Sequence, residues 1–204
     1  MRYILDTYIR AEDSRVISSM GDMSIVELLL QGKTTTPVDL VNDLPGDEKA
    51  KAETIENNLQ HEIVKKMSTN SVYYSKLSEM LKKIIQQRKI EAMSYEEYLR
   101  QVVELAQAII HPEEDSGYPE KIRDSFARMA LYDHFNADFD LTIDVDETIR
   151  ITIEPGWKAN FQKQQRIRYA IYNKLLDHMF PKKKAEEETK EVYIIAERQP
   201  EYDV

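Results

Sequence analysis

An all-α or mostly α fold, arranged as an irregular helical bundle, is predicted for this chain by its composition and its hydrophobic spacing. Only 5 of the 204 residues are glycine, 32% are charged, and the helix formers Glu, Lys, Leu, Ala, Gln and Met are abundant, a profile that favours helix. Apolar residues recur at intervals of three and four along much of the chain, as they do on one helix face. The length is sufficient for one or two domains with a sizeable core.

Two absences indicate the compartment in which we expect the protein to function. The chain has no cysteine, which excludes disulfides and thiolate metal sites and is typical of a reducing cytoplasm. No apolar run approaches the length that spans a bilayer, and the first residues lack the apolar core of a signal peptide. We therefore expect a cytoplasmic protein without a membrane partner.

The chain divides into four segments by its turn-forming residues. Residues 1–31 hold short apolar stretches and end in a capping-box pattern, Ser24 with Glu27. Residues 32–48 contain two prolines and two glycines without periodicity, so we interpret them as a linker or long loop. The remaining segments are a helical domain, 49–180, and a terminal tail helix, 181–204.

Three helices are predicted between residues 49 and 110. The third begins at a second capping box, formed by Ser94 and Glu97, in which each side chain accepts a hydrogen bond from a backbone N–H group at the helix start. The faces predicted to be buried are Ile55, Leu59, Ile63 and Met67 in the first helix; Tyr73, Leu77, Met80, Leu81 and Ile84 in the second; and Tyr95, Leu99, Val102, Ala106 and Ile109 in the third.

Further helices are predicted after a break at residues 111–118. Pro119 suits the first position of a helix, whose buried face would be Ile122, Phe126, Met129 and Ala130. A long helix over residues 160–179 would bury Ile167, Ile171, Leu175 and Met179. A lysine-rich break at 181–184 would precede a last amphipathic segment, residues 186–198, which Pro200 stops.

Residues 138–153 fit two patterns. Leu141, Ile143 and Val145 alternate like a strand, and a second alternating run after residue 147 predicts a short β-hairpin over 141–153. Leu141, Val145, Ile149 and Ile153 also recur at a spacing of four, which predicts a helix. The β-branched residues favour the strand. We predict a helix and keep the hairpin as the alternative.

The sequence contains no pattern that predicts catalysis or a cofactor. Gly32-Lys33-Thr34 imitates the end of a phosphate-binding loop, but Glu27 stands where that motif needs its first glycine. The four histidines are too widely separated to form a histidine-based metal site. No serine lies in a nucleophile-elbow pattern. We expect this chain to have no catalytic residue, no cofactor and no metal of its own.

Charge is concentrated in one segment. Residues 157–184 contain eight basic residues and one acid, a net charge of +7 in a chain of net charge −9. A basic helix on an acidic protein is typical of a face that contacts phosphates, although the same side chains could pair with acids on neighbouring helices. The only tryptophan precedes this helix, where it either fixes the entry angle of the chain or contacts a base or partner. The candidate DNA or partner contacts are Trp157, Lys158, Lys163, Arg166, Arg168, Lys174, Lys182, Lys183 and Lys184.

The densest match to a known family lies in residues 70–99. It comprises Tyr73-Tyr74, Leu77-Ser78-Glu79, Gln87-Arg88-Lys89 and the run 91–99, and it resembles the C-terminal helical region of the R (motor) subunits of type I restriction enzymes. The family usually has proline where Ser71 stands. Further matching runs are residues 8–14, 17–18, 23–28, 55–59, 130–133, 156–160, 198–199 and 201–202.

The resemblance implies a role within a larger machine. A complete R subunit is an ATP-dependent translocase and endonuclease that uses ATP and Mg²⁺, but its helicase motifs and nuclease residues have no counterpart here. Residues 1–31 would then be the tail of the motor lobe and its helical connection. We expect a non-catalytic module that docks onto the modification and specificity subunits and contacts double-stranded DNA without sequence preference. The alternative is a free-standing helical nucleic-acid-binding or regulatory protein.

Overall fold

Eight α-helices and three short 3-10 helices form the described part of the chain, residues 47–115 and 117–204 of the computed structural model. No strand occurs within these ranges, which confirms the all-α prediction. The predictions for residues 1–31 and 32–46 lie outside the described residues. The α-helices are α1 (Glu48–Lys66), α2 (Ser71–Lys89), α3 (Tyr95–Ile110), α4 (Glu120–Arg123), α5 (Phe126–His134), α6 (Phe139–Thr152), α7 (Phe161–Asp177) and α8 (Lys182–Arg198); the 3-10 helices are Pro112–Glu114, Trp157–Ala159 and Pro200–Tyr202.

Short polar side chains begin six of these helices. Each accepts a hydrogen bond from a backbone N–H of the first turn, which would otherwise lack a partner. In the predicted box at α3, Ser94 accepts from the N–H of Glu97 at 3.2 Å. The Glu97 carboxylate accepts from Arg100 and Gln101. Only the serine half of the box is therefore seen. The six capping residues are Asp47, Asn70, Ser94, Ser125, Asp138 and Asn160.

The buried apolar side chains form two clusters. The first lies between α1, α2 and α3 and includes Tyr118, Ile122 and Met129. The second lies between α5, α6, α7 and α8 and includes Trp157 and Tyr202. The clusters are joined by contacts between α2 and α5 and by a hydrogen bond from Gln199 Nε2 to the Thr69 carbonyl, at 2.6 Å.

Three residues predicted to be buried are exposed. Met80 lies at the edge of the apolar face of α2 and remains half-exposed. Phe126 is 53% exposed because the helix predicted from Pro119 ends at Arg123 and Ser125 caps a new one, which changes the face on which Phe126 lies. Met179 follows the end of α7, has a φ of +62° and is 89% exposed.

Residues 139–152 form helix α6, which confirms the helical prediction over the hairpin. Asp138 caps it by accepting from the N–H of Leu141 at 3.1 Å. Side chains at a spacing of four are packed in the second cluster, whereas Ile151, which the strand pattern also used, is exposed. Packing on one apolar face therefore outweighs the β-propensity of the branched residues. The buried residues of this face are Leu141, Val145 and Ile149.

The predicted lysine-rich break at 181–184 is wrong. Only Pro181 lies outside the helix, and Lys182 to Lys184 form the first turn of α8. The helix packs along α7 and contributes Val192, Tyr193 and Ala196 to the second cluster. The tail helix predicted for 181–204 is thus part of a packed core, because its apolar face continues into the lysine-rich segment through Ala185.

Candidate nucleic-acid interface

The basic segment folds into α7, the turn after it and the first turn of α8. Asn160 starts α7 by accepting from the backbone N–H groups of Gln162 and Lys163, at 3.0 and 3.1 Å. The apolar face of α7, which includes Ile167 and Ile171, packs into the second cluster. The opposite face is therefore directed to solvent, and from Phe161 to Leu176 it contains no acidic residue.

Three of the predicted cationic contacts are held by carboxylates of the same chain. Lys158 pairs with Asp203 near the C-terminus. Lys163 and Arg166 share Glu154, with nitrogen-to-oxygen distances of 3.3 and 2.8 Å. The hydrogen bond from Lys163, then the charges of Lys163 and Arg166, lower the pKa of Glu154 below its usual value. These cations are partly neutralised in the folded chain, so they are weaker candidates for phosphate contact.

Arg168 is also engaged inside the protein. Its guanidinium carbon lies 4.0 Å from the centre of the Tyr193 ring, a distance at which the cation is attracted to the face of the ring. The Arg168 side chain thus packs between α7 and α8, and its Nε is buried without an acceptor among the described residues. We assign Arg168 to the contact between these two helices.

Trp157 is packed in the interior, in the role of fixing how the chain enters α7 rather than on the surface. The residue is 1% exposed, its Nε1 donates to the Tyr202 carbonyl at 2.8 Å, and its ring meets Tyr193 edge-on at 5.9 Å. A buried indole whose N–H is satisfied contributes to the core. It anchors the chain end beside the start of α7.

The remaining four lysines lie on either side of the turn between α7 and α8. Lys174 is in the last turn of α7, and Lys182, Lys183 and Lys184 are exposed in the first turn of α8. Within residues 47–115 and 117–204, none of the four lies within 4 Å of a carboxylate oxygen. Lys184 lies over the ring of Phe180, at 5.0 Å. We call these four lysines the lysine corner.

The position of the lysine corner increases its positive potential. The N-terminus of a helix carries a partial positive charge, so cations in the first turn of α8 gain nothing from the helix dipole. Exposed Met179 lies in the turn beside them, and its backbone has a left-handed conformation that residues other than glycine seldom adopt. The corner therefore combines lysines with an exposed apolar side chain in the adjoining turn, and exposed Asp177 lies in the same turn.

The solvent-directed face of α7 was missed in the sequence analysis because only its charges were considered. Tyr169 is 68% exposed on this face, and neutral amides surround it at helical spacing. Tyrosine and amide side chains, like lysine and arginine, donate to phosphate oxygens. A helical wheel of residues 161–177 would have revealed this face. Its members are Gln162, Gln165, Arg166, Tyr169 and Asn173.

Other candidate chemistry is sparse in the described part of the chain. No group of three or more metal-ligating side chains occurs there, and no helix there has the length and apolarity to cross a bilayer. Three histidines instead lie beside single carboxylates: His111 beside Glu113 at 3.1 Å, His134 beside Glu188 at 2.8 Å, and His178 beside Asp144 at 2.8 Å.

Comparisons of this chain with protein-family models, with curated proteins and with solved structures found no match. The resemblance to type I restriction R subunits therefore rests on the residue runs given above and stays a prediction. Independently of that resemblance, the geometry shows the lysine corner at the end of α7, a helix with no acidic residue from Phe161 to Leu176.

Proposed function

We propose that this chain is a non-catalytic helical module of a type I restriction R subunit that supports assembly and contacts DNA. It would dock onto the modification and specificity subunits in the cytoplasm. ATP and Mg²⁺ would act in other parts of the parent endonuclease, upstream of this module. The observation that carries DNA contact is the lysine corner, whose four cations have no carboxylate partner among residues 47–115 and 117–204, in a chain of net charge −9.

The residues that carry the family resemblance support a structural role for that block. Tyr73, Leu77 and Leu99 are buried in the first cluster, and Arg88 forms a two-pronged ion pair with Glu56, at 2.7 and 3.0 Å. Such side chains maintain the fold of α1 to α3 and are not available to a partner. The function of the module would then reside in its exposed surfaces.

Lysines with and without carboxylate partners differ in their capacity to bind the phosphates of DNA. Lysines that already have carboxylate partners release few phosphate counterions on binding, whereas free lysines can replace the cations condensed on a duplex. The lysine corner offers up to four such contacts, and the donors on the solvent-directed face of α7 extend it. The acidic remainder of the protein repels DNA, so the isolated module would bind weakly and without sequence preference.

A salt titration with a matched control tests this role. We would replace Lys182, Lys183 and Lys184 together with glutamine, and in a control variant replace the exposed Lys82, Lys83 and Lys89 of α2. Duplex binding is measured by fluorescence anisotropy over a range of salt concentrations. We expect the first variant alone to lose affinity, with a salt slope shallower by about 0.9 for each lost phosphate contact. Equal loss in both variants would show a net-charge effect and contradict the assignment.

The alternative is a free-standing helical nucleic-acid-binding or regulatory protein. It predicts the same DNA binding, but its reading frame would encode no helicase motifs. The restriction hypothesis requires helicase motifs in the same reading frame, upstream of Met1. It also requires that the module co-sediment with purified modification and specificity subunits. A reading frame without helicase motifs, together with DNA binding at the lysine corner, would favour the alternative.

A further inference from the structure

Helix α7 ends in a Schellman motif, in which two backbone hydrogen bonds close the last turn of the helix. The N–H of Phe180 donates to the Leu175 carbonyl at 3.1 Å, and the N–H of Met179 donates to the Leu176 carbonyl at 2.9 Å. Met179 occupies the left-handed position of the motif, with a φ of +62°. Glycine is the usual residue at this position, because a side chain disfavours the left-handed conformation.

The Met179 side chain is directed to solvent. It is 89% exposed, more than any other large apolar side chain in the described part of the chain. The other residues with a positive φ in that part, apart from glycine, are polar or small: Glu91, Asn136 and Ala137. A large apolar residue that is both exposed and in a disfavoured conformation does not stabilise the fold. Such an outlier calls for a functional explanation.

The turn holds Met179 in a fixed position. On one side, His178 Nε2 lies 2.8 Å from Asp144 Oδ2 on α6. On the other side, Phe180 packs against the second cluster, and Pro181 precedes the first turn of α8. A side chain presented by a fixed backbone loses less conformational freedom when it binds. Met179 is therefore a preorganised apolar tip between α7 and α8.

The charge beside this tip indicates the chemistry of the partner. Residues 174–184 contain the four lysines of the corner and one acid, Asp177, a net charge of +3 with histidine neutral. Positive charge complements the phosphates of DNA, and proteins that bind the minor groove insert methionine and other apolar side chains between stacked bases. An anionic membrane also attracts lysines, but it takes up a broad apolar helix face. The solvent-directed face of α7 consists instead of amides with Arg166 and Tyr169.

From these observations we infer that Met179 is a wedge, which enters the minor groove and separates two stacked base pairs of a duplex held by the lysine corner. The inference rests on the proposed function and adds the way in which DNA is bound. Lys174 lies before the turn and Lys182 to Lys184 lie after it, so phosphates on both sides of the opened step have cations to meet. No base edge is read, but steps that unstack easily are favoured.

Fluorescence of 2-aminopurine tests the wedge on the full chain. This base analogue is quenched by stacking, so its emission rises when its step is opened. With the analogue at the central TA step of a short duplex, we expect the protein to raise the emission and Met179→Ala to abolish the rise. Because Met179→Ala removes no cation, the salt slope of binding should be retained. Ile151→Ala, which truncates a side chain 84% exposed on α6, is the matched control and should keep both properties.

A duplex with one central mismatch provides a second measurement. A mismatched pair costs less free energy to unstack, so the full chain should bind this duplex about tenfold more tightly than the matched one. Met179→Ala should bind both duplexes equally. Equal binding of the two duplexes by the unaltered protein would overturn the inference.

Met179→Gly separates the wedge from the fold. Glycine adopts the left-handed conformation without a steric cost, so the melting temperature of this variant should equal or exceed that of the unaltered protein. The rise in 2-aminopurine emission should nevertheless be lost. A lower melting temperature would show that the Met179 side chain stabilises the fold and would overturn the inference.

Three further results would also overturn the inference, and they separate its failure from that of the proposed function. Duplex binding that depends on the lysine corner, without a rise in emission that depends on Met179, would reject the wedge and leave the proposed function standing. Absence of duplex binding by the full chain would reject both. Binding to vesicles of phosphatidylcholine and phosphatidylserine that Met179→Ala abolishes would assign this side chain to a lipid surface.

Discussion

Tyr202 donates its phenolic hydrogen to Oδ1 of Asp146, at 2.7 Å, and this bond ties the C-terminal 3-10 helix to the middle of α6. Asp146 is fully buried and also accepts from Nε of Arg128 and Nε of Arg150, at 2.7 and 2.9 Å. One carboxylate therefore joins α5, α6 and the chain end. Arg150 extends the network to Glu201, at 3.0 Å.

Asp146→Asn should destabilise the fold strongly. Removing one member of a buried ion pair costs about 3–5 kcal/mol, and because both guanidinium groups reach solvent here we expect about 2–3 kcal/mol. The measurement is the free energy of unfolding in urea. Asp144→Asn is the control, since Asp144 pairs with His178 at the surface and should cost less than about 1 kcal/mol. Equal losses in the two variants would contradict the role of the buried carboxylate.

Leu77→Ala, Leu99→Ala and Ile171→Ala should each cost about 2–5 kcal/mol, as large-to-small changes at buried positions do. All three side chains lie in the two clusters. Met80→Ala, at the exposed edge of α2, should change the stability by less than about 0.5 kcal/mol. Thermal and urea unfolding provide the comparison. Unchanged stability in the three core variants would mean that the assigned helix faces are wrong.

Stability should fall at high pH. Burial raises the pKa of Tyr74 to about 12, and burial together with the Asp146 charge raises that of Tyr202 still further. A phenol whose folded pKa exceeds its unfolded value of about 10 contributes its full stabilisation below pH 10 and loses it as the pH rises towards the folded pKa. Melting temperatures between pH 8 and 12 should therefore decline.

Phenylalanine variants assign this decline to particular side chains. Tyr202→Phe removes a buried phenol and should flatten the loss of stability above pH 10, whereas Tyr169→Phe removes an exposed one and should not. A decline of the same slope in both variants would show that lysine titration causes it.

Glu154→Gln should increase the affinity of the chain for duplex DNA. The change releases Lys163 and Arg166 from their shared carboxylate, so both become available to phosphates, and the salt slope should steepen by up to about 0.9 for each new contact. Glu79→Gln, at an exposed position on α2, changes the net charge equally and is the control. An identical gain in the control would show that net charge alone is responsible.

The purified chain should hydrolyse no ATP and cut no DNA, with or without Mg²⁺. The expectation rests on the missing phosphate-binding loop and the missing nuclease constellation. Phosphate release and plasmid nicking are the measurements. Turnover that disappears on a substitution within this chain would overturn the prediction.

The helices α1, α2, α3 and α7 were predictable because their apolar side chains follow the helical period and polar residues cap their starts. Ile55, Leu59, Leu99 and Ile171 are buried as their spacing predicted. The boundary at Ser125 was not recognised, since Pro119 is an equally good start signal and only packing separates α4 from α5. For that reason Phe126 was assigned to the wrong face.

Periodicity and composition were enough to predict an all-α fold with a basic helix on an acidic chain, because both are local properties of neighbouring residues. Only the tertiary structure decided which cations of the basic segment pair with carboxylates of the same chain. Lys158 finds Asp203, and Lys163 finds Glu154, across turns whose geometry no spacing rule contains. The same holds for the burial of Trp157, since it depends on how distant helices pack rather than on the preference of any one segment.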